Sequence, residues 1–161
     1  MDDFLFSDEA LDEVNEVVQG SWKVIVVDDE PEVHAVTKLA LSDFEFQDKR
    51  LEFISAYSGE EAKQVIQEHP DAAIVLLDVV METDDAGLKV AKFIRETAKN
   101  NHIRIILRTG QPGQAPERQV IVNYDINDYK SKTELTAQKL FTVVMSSLRS
   151  YRDILSIEQS R

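Results

Sequence analysis

A run of apolar residues that ends in an acid constrains the fold of this chain more than any other stretch. No polar side chain interrupts Ala73 to Leu77, and Asp78 follows directly. A short run without polar alternation is typical of a strand buried on both faces, as in parallel sheets covered by helices. In such sheets ligands bind at the carboxyl ends of the strands. Asp78 is therefore a candidate functional group, although an Asp at this point can also cap the next loop or helix.

Apolar runs and turn signals divide the rest of the chain into alternating strands and helices. Further strands are predicted at 22–27, 51–56, 103–107 and 126–130. Helices are predicted at 31–43, 58–68, about 88–99, a short stretch no earlier than Pro116, and a long stretch from about Glu134. Pro31 suits the first turn of a helix, and Ser58 with Glu61 forms a capping box.

Strands that alternate with helices imply an α/β fold, a doubly wound five-stranded parallel sheet with helices on both faces. The common order for such a sheet is 2-1-3-4-5, with its switch point between strands 1 and 3. This order places Asp28 and Asp29, at the end of strand 1, beside Asp78. The C-terminal helix is expected to be longer than the others.

Carboxylates crowded at one edge repel one another, and proteins hold them together mainly around a bound cation or a retained proton. With oxygen ligands and no Cys, the expected ion is Mg²⁺, with Mn²⁺ as a substitute. Thr109 and Lys132 follow strands 4 and 5 at the same edge. Together these groups can surround a phosphoryl group that is transferred in line onto Asp78.

Composition limits the other classes of function. The absence of Cys excludes disulfides and thiol chemistry and fits a reducing, cytoplasmic setting. The net charge of −12 argues against direct binding of nucleic acid, whose phosphates require clustered Lys and Arg. No signal peptide or long apolar run is present, so we expect a soluble protein without a membrane span.

Four motifs occur in a fixed order along the chain, each at a predicted strand end. They are Val-Val-Asp-Asp-Glu-Pro at 26–31, Leu-Leu-Asp-Val-Val-Met at 76–81, Arg-Thr-Gly at 108–110 and Asp-Tyr-Lys-Ser-Lys at 128–132. With these motifs the sequence, from about Lys23 to Val144, resembles the receiver domain of bacterial two-component response regulators. The resemblance implies the flavodoxin-like receiver fold and a signalling phosphoprotein that itself performs only self-phosphorylation and autodephosphorylation. It also implies a histidine kinase or phosphotransfer protein as partner.

The resemblance assigns the phosphoacceptor and the metal ligands. Asp78 is implied to accept the phosphoryl group. Asp29, Asp78 and the backbone carbonyl of Val80 are implied to hold Mg²⁺, and Asp28 supports the ion through water.

The resemblance also assigns the residues around the phosphoryl group. Lys132 is implied to contact it, and Lys130 is the rival lysine. Lys132 is favoured because the family places an aromatic residue three positions before its lysine, where this chain has Tyr129. Thr109 and Tyr129 are implied to be the switch pair that alters the face formed by helix 4, strand 5 and helix 5.

The chain departs from the family pattern in several places. Lys132 is followed by Thr133 where a proline is usual, so a trans peptide is the default there. The loop after Met81 lacks the usual proline and is slightly longer, and its acids up to Asp85 are expected to be solvated. The stretch 111–116 shortens helix 4. His34, on helix 1, is expected to be a surface or packing residue.

The predicted units are an acidic arm or short helix at 1–21, a receiver domain at 22–147 and a helical extension at 148–161. Apolar residues along the last helix have the spacing of a two-helix coiled coil: Leu140, Phe141, Val144, Leu148, Tyr151 and Leu155. The alternative is a core stripe that ends at Val144. A homodimer through this helix, or through the face of helix 4, strand 5 and helix 5, is one use of such a surface.

Similar receivers, with Thr-Gly-Gln-Pro-Gly-Gln at 109–114 and Lys-Thr-Glu-Leu-Thr at 132–136, precede output domains such as HD-GYP-type cyclic-di-GMP phosphodiesterases. By this analogy the last helix is expected to lead to an output domain or effector. Two other functions stay open. One is a receiver-like scaffold that is not phosphorylated. The other is a haloacid-dehalogenase-type phosphatase, whose mechanism needs a second Asp where this chain has Val80.

Overall fold

The computed structural model describes residues 20–110, 118–133 and 136–159. Most of the predicted N-terminal arm, the stretch 111–116 and the predicted helix start at Glu134 lie outside these residues. The strands are β1 (Ser21–Val27), β2 (Arg50–Ala56), β3 (Ile74–Asp78), β4 (Arg104–Thr109) and β5 (Ile126–Ser131). They form one parallel sheet in the order β2-β1-β3-β4-β5, which confirms the predicted α/β fold.

The helices fall where the sequence places them, although most are shorter than predicted and α3 starts earlier, at Ala86. They are α1 (Pro31–Ala40), α2 (Gly59–Glu68), α3 (Ala86–Lys92), α4 (Arg118–Asn123) and α5 (Ala137–Gln159). At the start of α2 the Ser58 side chain accepts a hydrogen bond from the Glu61 amide at 3.1 Å, as the capping box predicts. The Lys132–Thr133 peptide, like every other one in the described part of the chain, is trans.

Two apolar layers enclose the sheet, because successive side chains of a strand point to opposite faces. The layer on the α2 and α3 side includes Ile25, Val75, Leu77, Ala62, Ile66, Val90 and Ile94. The layer on the α1 and α5 side includes Val24, Val26, Ile74, Leu76, Leu140, Val144 and Leu148. Burial on both faces explains why β3 carries no polar residue before Asp78.

The third helix continues beyond Lys92 as a π-helical segment, Phe93–Thr97, and stops short of the predicted end at Lys99. Lys99 has a left-handed backbone conformation, with φ of 53°, which ends the helix. Arg95 is buried in the π-helical segment and donates to the carbonyls of Tyr124, Asn100 and Asp125, each at 2.8 Å. This arginine therefore fastens the end of α3 to the loop between α4 and β5.

The long helix α5 packs its apolar stripe against the sheet of its own chain. Leu148 and Tyr151 are buried, and Leu155 packs against the same core layer. The Tyr151 hydroxyl donates to the Asp71 carbonyl at 3.1 Å. The core stripe thus continues past Val144, the point where the alternative interpretation ended it, and α5 crosses the predicted boundary at 147/148 without a break. The domain boundaries and a homodimer through α5 stay predictions.

No helix in the described ranges is both long and apolar enough to cross a membrane.

Candidate functional site

The carboxyl ends of β1 and β3 bring three acidic side chains together. Carboxylate oxygens of Asp28, Asp29 and Asp78 all lie within 4.8 Å of one another. The order of the sheet brings these acids together, because β1 and β3 are neighbours and Val27 pairs with Leu77. Asp28 follows the last residue of β1, and Asp78 is the last residue of β3. Asp28 and Asp78 are buried whereas Asp29 is exposed. The acidic cluster formed by these three aspartates is therefore open to solvent on the Asp29 side.

Hydrogen bonds hold Asp28 in place from several directions. Its amide donates to the Ala56 carbonyl at 3.1 Å, and its Oδ1 accepts from the Glu30 amide at 2.9 Å. His34 Nε2 lies 2.8 Å from the Asp28 carbonyl, and His34 Nδ1 lies 2.9 Å from Ser55 Oγ. A carbonyl oxygen only accepts hydrogen bonds, so His34 Nε2 carries the proton and donates to the Asp28 carbonyl. His34 is thus a packing residue that orients the acidic loop.

A lysine from the end of β5 reaches the acidic cluster. Lys132 Nζ lies 2.9 Å from Asp28 Oδ2 and 3.4 Å from Asp78 Oδ2, with Glu30 Oε2 at 3.9 Å. The Lys132 amide donates to the Thr109 carbonyl at 2.7 Å, which ties the ends of β4 and β5 together. Lys130 instead pairs with Asp128 at 3.9 Å. Of the two candidate lysines, the structure places Lys132 in the cluster.

The predicted switch residues occupy the two neighbouring strands. Thr109 is the last residue of β4 and is buried. Tyr129 lies on β5, where it pairs with Leu107 and packs, partly buried, against the core layer on the α2 and α3 side. Val80, the residue predicted to offer its carbonyl, follows β3 and packs against the same layer. Their assigned roles stay predictions.

Burial and charge shift the ionisation of the cluster. Burial is the main cause that raises the pKa of Asp78 to about 6, and repulsion from Asp28 is the second. The positive charge of Lys132 opposes this rise. Burial alone lowers the pKa of Lys132, but the hydrogen bond to Asp28 and the charge of Asp78 raise it overall. The site therefore keeps a charged lysine beside a carboxylate that resists ionisation.

The residues present fit a hard divalent cation. Asp78 Oδ1 is buried and accepts no hydrogen bond within the described part of the chain. A buried carboxylate oxygen without a donor is costly, and a cation is the partner that also relieves the repulsion among the three acids. All the candidate ligands are oxygens, which suits Mg²⁺ or Mn²⁺.

The loop after β3 contains an acid whose role the sequence did not reveal. Glu82 was expected to be merely solvated, but this expectation is wrong. Both Glu82 carboxylate oxygens accept from the Gly59 amide at 2.9 Å, and one accepts from the Glu60 amide at 3.4 Å. These amides belong to the first turn of α2, whose unpaired N–H groups and dipole attract a carboxylate. Glu82 therefore fastens the loop that carries Val80 to the adjacent helix.

We expect Glu82→Gln to lower the free energy of unfolding by about 0.5–1 kcal/mol near neutral pH, the usual range for a charged group at a helix start. The hydrogen bond from Gly59 holds the pKa of Glu82 below its usual value. Its contribution is thus present above the unfolded pKa and is lost as the pH falls through the folded pKa. Urea titrations at several pH values should show the difference disappear in acid. Asp84→Asn, an exposed neighbour, is the control, and an equal loss there would contradict the assignment.

Gly87 explains how α3 can approach the phosphoacceptor candidate. Its amide donates to the Val79 carbonyl at 2.9 Å. A Cβ at this position would overlap the carbonyl oxygen of Asp78 and the backbone of Val79. Only glycine lets the first turn of α3 lie directly against the end of β3.

Comparison with known proteins agrees with this architecture. Residues 24–145 match the family model of the response regulator receiver domain. The chain is 51% identical, over 98% of its length, to a protein of Vibrio cholerae serotype O1 named 3'3'-cGAMP-specific phosphodiesterase 2. It spans only 31% of that longer protein.

Solved structures share the fold at low identity. The chain aligns with an adenylate cyclase from Rhodopirellula baltica at a TM-score of 0.71 and 18% identity, covering 86% of this chain and 96% of that one. It aligns with the signal receiver domain of an HD domain-containing protein from Pseudomonas fluorescens at a TM-score of 0.64 and 18% identity, covering 84% and 92% of the two chains. The family match and the fold together show that this chain belongs to the response regulator receiver domains.

Proposed function

We propose that this chain is a phosphoacceptor switch in which Asp78 receives a phosphoryl group from a histidine kinase or phosphotransfer protein. The observation that carries the proposal is the acidic cluster with Lys132 Nζ at 3.4 Å from the Asp78 carboxylate. Receiver domains interact with histidine kinases and output domains, and this chain belongs to that family.

Each residue of the site has a part in the transfer. Asp29, Asp78 and the Val80 carbonyl would hold Mg²⁺ or Mn²⁺, with Asp28 acting through water. When bound, the ion supplies positive charge that favours the approach of a phosphoryl group to a carboxylate. Lys132 provides a second positive charge, already held by Asp28 at 2.9 Å.

In the transfer, a carboxylate oxygen of Asp78 forms a bond to phosphorus while the phosphorus–nitrogen bond to the donor histidine breaks. The imidazole leaves with the bonding electron pair and takes its proton from water. Positioning and electrostatics supply nearly all of the catalysis in such in-line transfers. One carboxylate oxygen of Asp78, Oδ2, already lies 3.4 Å from Lys132 Nζ.

The product adds about −1.5 to −2 charges at the edge of the sheet. Thr109, at the end of β4, would donate to the phosphoryl group, and Tyr129 would turn inward beside it. Phosphorylation thereby biases an equilibrium between two forms of the α4, β5 and α5 face, since it can shift populations only by its difference in affinity for them.

The likeness to the Vibrio cholerae protein suggests the output. We extend the proposal to a phosphodiesterase that acts on a cyclic dinucleotide, attached to this receiver and controlled by it in the cytoplasm. The support is the 51% identity over nearly the whole chain. A homodimer through α5 or the α4, β5 and α5 face would be one way to transmit the signal.

Labelling with a small phosphodonor tests the phosphoacceptor role. Acetyl phosphate with Mg²⁺ should add one phosphoryl group to the wild-type chain, and chelation of the metal should prevent it. Asp78→Asn should show no addition by intact-mass spectrometry, whereas Asp71→Asn, at an exposed acid before β3, should label normally. Equal labelling of Asp78→Asn would contradict the proposal, and no labelling of the wild type would favour a non-phosphorylated scaffold.

A further inference from the structure

An arginine lies buried beside the acidic cluster without a place in the mechanism described above. Arg108 is the penultimate residue of β4 and is only 5% exposed. In the sheet it pairs directly with Asp78 of β3. Since residues in register share a face of a parallel sheet, the two side chains lie on the same side, toward α1 and α5.

Among the described residues, one hydrogen bond anchors the guanidinium. Arg108 Nη1 donates to Thr37 Oγ1 on α1 at 3.0 Å, and the Thr37 hydroxyl in turn donates to the Val33 carbonyl at 2.6 Å. The other two nitrogens, Nε and Nη2, are buried and have no hydrogen-bond partner within the described residues. In the same part of the chain no carboxylate lies within ion-pair distance of Arg108.

A buried and unpaired guanidinium is costly, so the surrounding charge must compensate for it. The compensating groups are Asp28 and Asp78, whose charges oppose the effect of burial on the pKa of Arg108. Arginine stays protonated under all physiological conditions, and a buried charge is screened little by salt. The acidic cluster therefore lies between two cations, the partly exposed Lys132 at its solvent side and the buried Arg108 within the core.

We propose that Arg108 is a fixed counter-charge that weakens divalent-cation binding at the acidic cluster, so that the ion binds reversibly. The inference rests on the proposed metal site of the phosphoacceptor. Like charges repel inside a protein more strongly than in water, and any cation bound by Asp28, Asp29 and Asp78 would share their field with Arg108. Arg108 does not contact the carboxylates, and its charge makes the field at the cluster less negative.

The direction of the effect separates this role from a structural one. Loss of a residue that merely supports the site would weaken Mg²⁺ binding. Loss of a competing charge would strengthen it.

Isothermal titration of the full chain with MgCl₂ at constant ionic strength tests the proposal. Arg108→Met removes the charge and keeps an unbranched side chain, and it should bind Mg²⁺ at least about tenfold more tightly than the wild type. Arg108→Lys keeps the charge and should restore the wild-type affinity. Arg108→Gln is a second neutral variant, for use if the methionine variant does not fold.

Matched controls isolate the buried charge. Thr37→Val removes the anchor but not the charge, and Lys38→Met removes an exposed charge on the same helix. Both should keep an affinity close to that of the wild type. If the wild type binds Mg²⁺ but Arg108→Met and Arg108→Gln bind it no more tightly, the role of Arg108 is overturned and the proposed metal site remains. Absence of Mg²⁺ binding in the wild type and the variants would overturn the proposed metal site and the inference together.

Discussion

Asp78→Asn is expected to stabilise the metal-free protein by about 2–3 kcal/mol at about pH 7.5, a rise in Tm of about 5–10 °C for a domain of this size. Burial and the neighbouring Asp28 raise the pKa of Asp78 from 3.8 to about 6. The folded state therefore binds the proton more tightly than the unfolded state. Wild-type stability should fall as the pH rises from about 4 to about 6 and should stay low above that range. The variant lacks this titration, so its advantage should vanish near pH 4.

Urea unfolding of both proteins across this pH range, with a chelator present, measures the effect. Asp71→Asn serves as the control, because Asp71 forms an exposed pair with Lys23 at 2.9 Å and its loss should cost less than about 1 kcal/mol. Added Mg²⁺ should stabilise the wild type and narrow the gap, since an ion that binds only the folded state adds to its stability. An Asp78→Asn variant no more stable than the wild type at about pH 7.5 would contradict the raised pKa of Asp78.

Lys132→Met is expected to lower the free energy of unfolding by about 2–3 kcal/mol, below the usual cost of breaking a fully buried pair because Lys132 is partly exposed. Lys132 Nζ is the cation within 2.9 Å of Asp28 Oδ2, and Asp28 is fully buried. Without it, the carboxylates of Asp28 and Asp78 repel each other with less compensation. The loss should be greatest above about pH 6, where Asp78 is ionised, and smaller in acid, where it is protonated.

Lys130→Met is the matched comparison for this variant. Lys130 lies two residues earlier on β5 and pairs only at 3.9 Å with Asp128, so its removal should change stability by less than about 1 kcal/mol. Comparison of the two variants also tests the prediction from the sequence that Lys132, and not Lys130, belongs to the site. Equal losses for both variants, measured by urea unfolding in the absence of metal, would contradict the placement of Lys132 in the cluster.

The fold could be predicted because the three central strands contain apolar runs and helix signals separate the strands. The β-branched run before Asp28 and the apolar run before Asp78 identify strands buried on both faces, and their alternation with helices limits the sheet order. Once the order is known, the meeting of Asp28, Asp29 and Asp78 follows from topology alone.

The residues that sequence reasoning missed act through partners far away in the chain. Glu82 contacts the amide of Gly59, 23 residues earlier, and Arg108 contacts Thr37, 71 residues earlier. Neither contact has a local signature. In the sequence, Glu82 resembles any other acidic residue of a loop, and Arg108 resembles part of a motif at a strand end. One clue was available for Arg108, because a charged residue that directly follows three apolar residues of a central strand requires a compensating partner if it is buried.

The surface that receives the apolar stripe of α5 was left open by the sequence for a related reason. Apolar spacings of three and four fit both a coiled-coil seam and a stripe that packs on a sheet. The buried Tyr151, whose ring lies edge-on to Trp22 at 6.4 Å, shows that the stripe covers the far end of β1. A sequence pattern alone does not say which surface receives an amphipathic helix.

The two attachments of α5 have a mechanical consequence. The helix starts shortly after Lys132, at the edge of the sheet that holds the acids. At the opposite edge, the Tyr151 hydroxyl donates a hydrogen bond to the Asp71 carbonyl. With 23 residues it is about 34 Å long, and a helix of this length bends little over such a distance. Since Leu140, Val144 and Leu148 also pack on the sheet, a small shift at the end of β5 would move the first turns of α5 while the Tyr151 contact holds its far part. A displacement of the backbone beside Lys132 would then change the angle between α5 and the sheet.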